Sequence, residues 1–178
     1  MPNTFTLIAS SEVGPSGASS IDFTNIPQTY TDLLIEVSGR TTNWGYSYNN
    51  LYLSINATPS GSSYSNRILY SVGSTTGSFS QSGTSQFLIG ATPSTAGTAN
   101  TFSNVMCYLE NYTSSSTNKT ASSDGASPRN SSTNGDTFLN LSAGLWGSNT
   151  AVTSLYLTSD QSTFVQYSTA YLYGIKNS

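Results

Sequence analysis

Ile26-Pro27-Gln28-Thr29-Tyr30-Thr31-Asp32-Leu33-Leu34-Ile35-Glu36-Val37-Ser38-Gly39-Arg40 carries the chain's clearest strand signal. Pro27 and the polar residues after it mark a turn. Leu33, Ile35 and Val37 then fall on one side of an extended strand, with Leu34, Glu36, Ser38 and Arg40 on the other. This is the pattern of a core strand.

Outward from it, segments of period two bounded by Gly, Pro, Ser and Asn recur along the chain, and no long apolar stripe has the helical period. Strands are expected at Thr4 to Ser10, Ser20 to Phe23, Asp32 to Arg40, Asn50 to Asn56, Arg67 to Val72, Gln86 to Ile89, Phe102 to Tyr112, Thr120 to Ser122, Thr137 to Leu145, Ala151 to Thr158 and Thr169 to Ile175. Three of them suggest a buried face through alternation: Leu51, Leu53 and Ile55; Val105, Cys107 and Leu109; Leu139, Leu141, Ala143 and Leu145. One wet face per strand predicts an all-β chain folded as a single antiparallel β-sandwich over residues 1 to 178, jelly-roll-like, with an up-and-down barrel as the second architecture. The order of the strands is not readable. Gly73 to Ser85, with Phe79 as its one apolar anchor, and Thr113 to Asp136 are expected to be long surface loops.

Composition narrows the function. A chain of 178 residues removes roughly 70% of its unfolded surface from water, enough for one core without staples. Only 7% of residues are charged, against roughly 25% in an ordinary soluble domain, which suits a surface that meets other protein. The five basic residues are scattered and the net charge is -3, so neither nucleic acid nor an anionic membrane is an expected partner. Cys107, the single cysteine, excludes an intrachain disulfide and reads as a small buried hydrophobe. The N-terminus lacks the regions of a secretory signal and no stretch reaches the ~20 apolar residues of a bilayer span, so the product is expected to be made in the cytosol.

The chain has no histidine, which removes the Ser-His-Asp and Cys-His constellations. Its eight carboxylates show no spacing that marks an acid and base pair, and no enzyme activity, metal or cofactor is expected. Asp124-Gly125 and Gly135-Asp136 read as turns rather than calcium ligands. The run from Gly73 to Gly77 lacks the lysine and helix of a phosphate cradle. One positive feature stands out: Trp44-Gly45-Tyr46-Ser47-Tyr48 puts Trp44, Tyr46 and Tyr48 at alternate positions just beyond the central strand. Such a row serves either as a subunit contact or as a stacking shelf for a glycan, with Asn43, Asn49 or Asn50 as polar partners. Trp146 reads as a plug at one end of the sandwich.

The strings IPQTYTDLLIEVSGR, FTLIASSEV before it, and LSAGLWGSNTAVTSLYLT and FVQYSTAYLYGIKNS toward the end resemble small β-rich virion proteins of marine tailed phages. The resemblance implies a particle subunit, of the head decoration or cement type or of the tail-fibre type, often a trimer of β-sandwiches, and carries no active-site residues. The chain has no heptad run or β-helix repeat of a fibre shaft. The expectation is therefore a homotrimeric capsid decoration subunit on the virion surface that binds neighbouring capsid proteins. The alternative is a tail-fibre or tail-tip adhesin that binds a host-surface glycan through its aromatic loop.

Overall fold

The computed structural model describes residues 4–42, 45–56, 61, 63–129 and 137–176. Twelve strands run in order: β1 (Phe5–Glu12), β2 (Ser20–Phe23), β3 (Asp32–Ser38), β4 (Tyr48–Ile55), β5 (Tyr64–Val72), β6 (Thr75–Thr84), β7 (Phe87–Pro93), β8 (Asn104–Leu109), β9 (Lys119–Ser127), β10 (Phe138–Trp146), β11 (Leu155–Ser159) and β12 (Thr169–Ile175). There is no helix among the described residues.

The strands form an eight-stranded sheet, β1-β12-β3-β8-β9-β10-β5-β6, and a four-stranded sheet, β2-β11-β4-β7, which pack as a sandwich. With β5, β6, β9 and β10 set aside, β1-β12-β3-β8 faces β2-β11-β4-β7, which is the strand order of a jelly roll. The remaining four strands are two insertions, β5 and β6 between β4 and β7, and β9 and β10 between β8 and β11. They meet where β10 pairs with β5, from Phe138 opposite Val72 to Trp146 opposite Tyr64, and so extend the large sheet by four strands.

The core lies between the sheets. β3 sits between β12 and β8 with Leu33, Ile35 and Val37 fully inside, and its outer-face Leu34 is also covered, flanked by Tyr173 and Tyr108 of the adjacent strands. That double burial is why its sequence is almost continuously apolar. The turn before β3 is tied down: the buried Tyr112 donates its hydroxyl to the Pro27 carbonyl. Asp32 accepts from the Tyr108 hydroxyl and the Asn111 amide, each at 2.7 Å.

Two of the five cations turn inward. Arg40 donates to the carbonyls of Thr98 (2.6 Å), Thr101 (2.9 Å) and Gly97 (3.4 Å), which fixes that loop. Lys119 donates to Ser114 O (2.7 Å) and Thr117 O (2.8 Å). Burial lowers the pKa of both, yet each charge meets oriented carbonyl dipoles in place of water.

Three expectations need correction. Neither expected long loop is a loop throughout: Thr113 to Asp136 contains β9, and Gly73 to Ser85 contains β6, which forms a hairpin with β5 across Gly73-Ser74. Gly73 supplies the left-handed conformation of that turn with φ 57°. Asp124 and Gly125 lie in mid-strand within β9 and not in a turn, whereas Gly135 and Asp136 are outside the described residues.

The third correction concerns β10, whose leucines face the other way. Phe138, Asn140 and Ser142 are buried against the small sheet, while Leu139, Leu141 and Leu145 are 50%, 56% and 38% exposed. The cause is the edge strand β7, which packs over β9 and β10 and needs polar partners there. Its Ile89 carbonyl accepts from Asn140 Nδ2 (3.1 Å) and Ser123 Oγ (2.9 Å). Phe87 fills the space beside Gly144 so closely that a Cβ on that glycine would stand 2.4 Å from the ring. A leucine-bearing face does not fit this slot.

Candidate functional site

The first candidate is the aromatic row. Trp44 and Asn43 are outside the described residues. Tyr46 is 66% exposed, and Tyr48 is half-buried with its ring 5.2 Å from that of Phe138, a backing that holds it in place. Along β4, Asn49, Leu51 and Leu53 turn inward, and Tyr48, Asn50 and Tyr52 form the opposite face. Asn49 is thereby spent on structure, since its Nδ2 donates to Thr41 Oγ1 and Thr42 O at 2.9 Å each. Asn50 is the amide that faces the row.

The fold adds a residue that the sequence did not offer. Asp160, just after β11, stands beside the tyrosines and accepts the Asn50 main-chain N–H at 3.0 Å through Oδ2. Tyr46, Tyr48, Asn50 and Asp160 line a recess of 320 Å³, and Asp160 is shared with a second recess of 360 Å³ walled by Tyr52, Gln86, Thr158 and Gln161. Asn50 Nδ2 donates to the Tyr52 hydroxyl at 3.2 Å. Burial, the neighbouring Asp160 carboxylate and the hydrogen bond to it push the Tyr52 hydroxyl up to about 12, so it keeps its proton in the physiological range.

The second candidate lies on the other side of the sandwich. The outward turn of the β10 leucines leaves a groove of 760 Å³ on the outer face of the large sheet, with Leu69, Met106, Leu139 and Leu141 as its apolar surface. Leu69 and Met106 are 52% and 37% exposed, and Leu69 is the direct cross-strand partner of Leu141. Asp124 sits on that face between Met106 and Leu141. Arg67, opposite Ala143 on β5, is exposed with Nη1 donating to Ser80 Oγ at 2.6 Å. The sequence did announce that Leu139, Leu141 and Leu145 share a face; it did not say which face is wet.

Elsewhere the chemistry is quiet. Cys107 is buried, and burial with a smaller contribution from Asp124 pushes its thiol up to about 12. Trp146 packs on the core with its ring 6.1 Å from that of Tyr64 at the end of β10, as a plug would. Among the described residues, no three His, Cys, Asp or Glu side chains gather as a metal site would require. No family model, curated protein or solved structure matches this chain.

Proposed function

We propose that this chain is a structural subunit of a virus particle, a surface decoration or cement protein that acts by binding, and that it packs against a second copy of itself through the outer face of the extended sheet. The observation that carries the reading is the set of four apolar side chains, Leu69, Met106, Leu139 and Leu141, turned to solvent on a regular sheet face. Sheet faces that stay in water ordinarily alternate polar residues outward. Covering these half-exposed side chains contributes roughly 1 kcal/mol each.

The size of the face fits a second copy. The five strands from β8 to β6 hold 6, 9, 9, 9 and 10 residues; at about 3.3 Å per residue and about 4.8 Å between strands they give roughly 700 Å² per copy, or about 1,400 Å² for the pair. This lies inside the roughly 1,200–2,000 Å² of a stable interface. The charges are self-complementary too: Asp124 on β9 and Arg67 on β5 flank β10, offset by two residues along it. A two-fold axis in the contact plane, passing over β10 between Leu141 and Ala143, sets each Arg67 opposite the other copy's Asp124. This proposed contact is two-fold, whereas the sequence led to the expectation of a homotrimer, and sedimentation of the whole protein distinguishes the two.

The particle assignment is supported by the string resemblance and by a surface with few charges. The jelly roll is compatible with it, since that architecture serves capsid domains as well as lectins, but a fold alone assigns no function. Imaging of intact particles tests the placement. Copies distributed over the head lattice, in contact through the β9 and β10 face, are the expected result; copies confined to the tail tip would contradict it.

A further inference from the structure

We propose that the paired recesses around Asp160 bind a neutral glycan, one sugar ring over Tyr46 and Tyr48 and the next beside Tyr52. The site lies on the small-sheet side of the sandwich and does not depend on the assembly reading. A pyranose presents a face of C–H bonds and a rim of hydroxyl groups. It therefore needs an exposed aromatic ring, a strong acceptor and an amide within one ring's reach, on a shallow polar surface.

The recess supplies each. Tyr46 offers its ring to solvent, and Tyr48 is backed by Phe138 at 5.2 Å, so a sugar that stacks there orders little that is not ordered already. Asp160 is the acceptor: its carboxylate is positioned by the Asn50 main-chain N–H, and sugar hydroxyls that donate to it form charge-assisted bonds. Asn50 and the protonated Tyr52 hydroxyl complete the rim on one side, Gln86 and Gln161 on the other. At 320 and 360 Å³ the two recesses sit at the small end of the roughly 300–1,000 Å³ of ligand pockets, and they meet at one carboxylate, as two linked sugars would require.

The chemistry selects among glycans. No lysine or arginine is among the described residues that line either recess, and the one charged group is a carboxylate. Sialylated, uronic or sulfated sugars would set an anion against Asp160 without a counter-charge, so neutral hexose oligosaccharides are the ligand class.

The test is titration of the whole protein with free neutral oligosaccharides of glucose, galactose and mannose, beside sialylated and sulfated panels, for the wild type, Tyr46→Ala and Asp160→Asn. Tyr46 is at the surface, so Tyr46→Ala keeps the fold, as circular dichroism will show. It is expected to weaken neutral-glycan binding at least about tenfold, a loss of roughly 1.4 kcal/mol. Asp160→Asn is expected to weaken it as much. Leu141→Asp, on the opposite face, is expected to leave the affinity for a free sugar unchanged, which separates this site from the assembly contact. Absence of neutral-glycan binding at millimolar concentration, binding indifferent to both recess variants, or preference for the acidic panels would each overturn the proposal.

Discussion

Asn140 on β10 reaches across the sandwich and donates its side-chain amide to the main-chain carbonyl of Ile89 on β7, at 3.1 Å. The same amide donates to Ser142 Oγ of its own strand at 2.9 Å, so the middle of the buried face of β10 is polar, with Phe138 and the Phe87 ring beside Gly144 packed on either side of it. With Asn140 and Ser142 inside, the alternation of the strand puts Leu139 and Leu141 outside. The groove that carries the proposed contact is a consequence of that facing.

This burial phase predicts an unusual mutational pattern. Asn140→Ala removes one of the two side-chain donors to a buried carbonyl and is expected to cost about 1–3 kcal/mol in chemical denaturation. Leu141→Ala is expected to cost under about 1 kcal/mol in the isolated chain, whereas Leu157→Ala, fully buried in β11, should cost about 2–5 kcal/mol. A Leu141→Ala loss as large as that of Leu157→Ala would reverse the assignment of faces.

Alkaline pH provides a second handle. Tyr52, Tyr108 and Cys107 are each pushed up to about 12, from ordinary values of 10.0 for the tyrosines and 9.0 for the thiol. Burial is the leading cause in each, joined by Asp160 at Tyr52, Asp32 at Tyr108 and Asp124 at Cys107. The folded state holds these protons more tightly than the unfolded chain, so their contribution is complete below the ordinary values and is lost as pH rises through the folded ones. Melting temperature is expected to be flat to about pH 9 and to fall steadily toward pH 12 on this account. In Tyr108→Phe part of that fall should disappear; a fall of undiminished size would remove Tyr108 from the explanation.

Arg40 predicts a local effect. Its guanidinium serves the carbonyls of Gly97, Thr98 and Thr101, and Arg40→Met leaves all three without it. The expected cost is about 2–4 kcal/mol, since hydrogen bonds to a charged group are the stronger kind. Hydrogen exchange should rise around residues 97–101 well before the core strands; unchanged protection there would show that the loop is held by other means.

The sequence made the fold class legible because β3, β4 and β8 bury the faces that their alternation marks, with Leu33, Ile35, Leu51, Leu53, Val105 and Cys107 all inside. Alternation states which residues share a face, not which face is wet, and in β10 the second question is decided by β7, some fifty residues away. β6 escaped notice for another reason: its sequence, TTGSFSQSGT, has no apolar row, and it is a strand because β5 offers its backbone along the whole length. Tyr46 and Tyr48 were visible as a row, but Asp160 joins them only through the pairing of β11 with β4, which aligns Ser159 with Leu51.

Association through the outer leucine face is read out by sedimentation velocity of the wild type and Leu141→Asp at micromolar concentration in low and high salt. The wild type is expected to sediment as two copies in both salts, because Leu69, Met106, Leu139 and Leu141 carry the contact, and the Leu141→Asp variant to be monomeric with an unchanged circular dichroism spectrum. A monomeric wild type, or a Leu141→Asp variant that sediments as the wild type does, would contradict it.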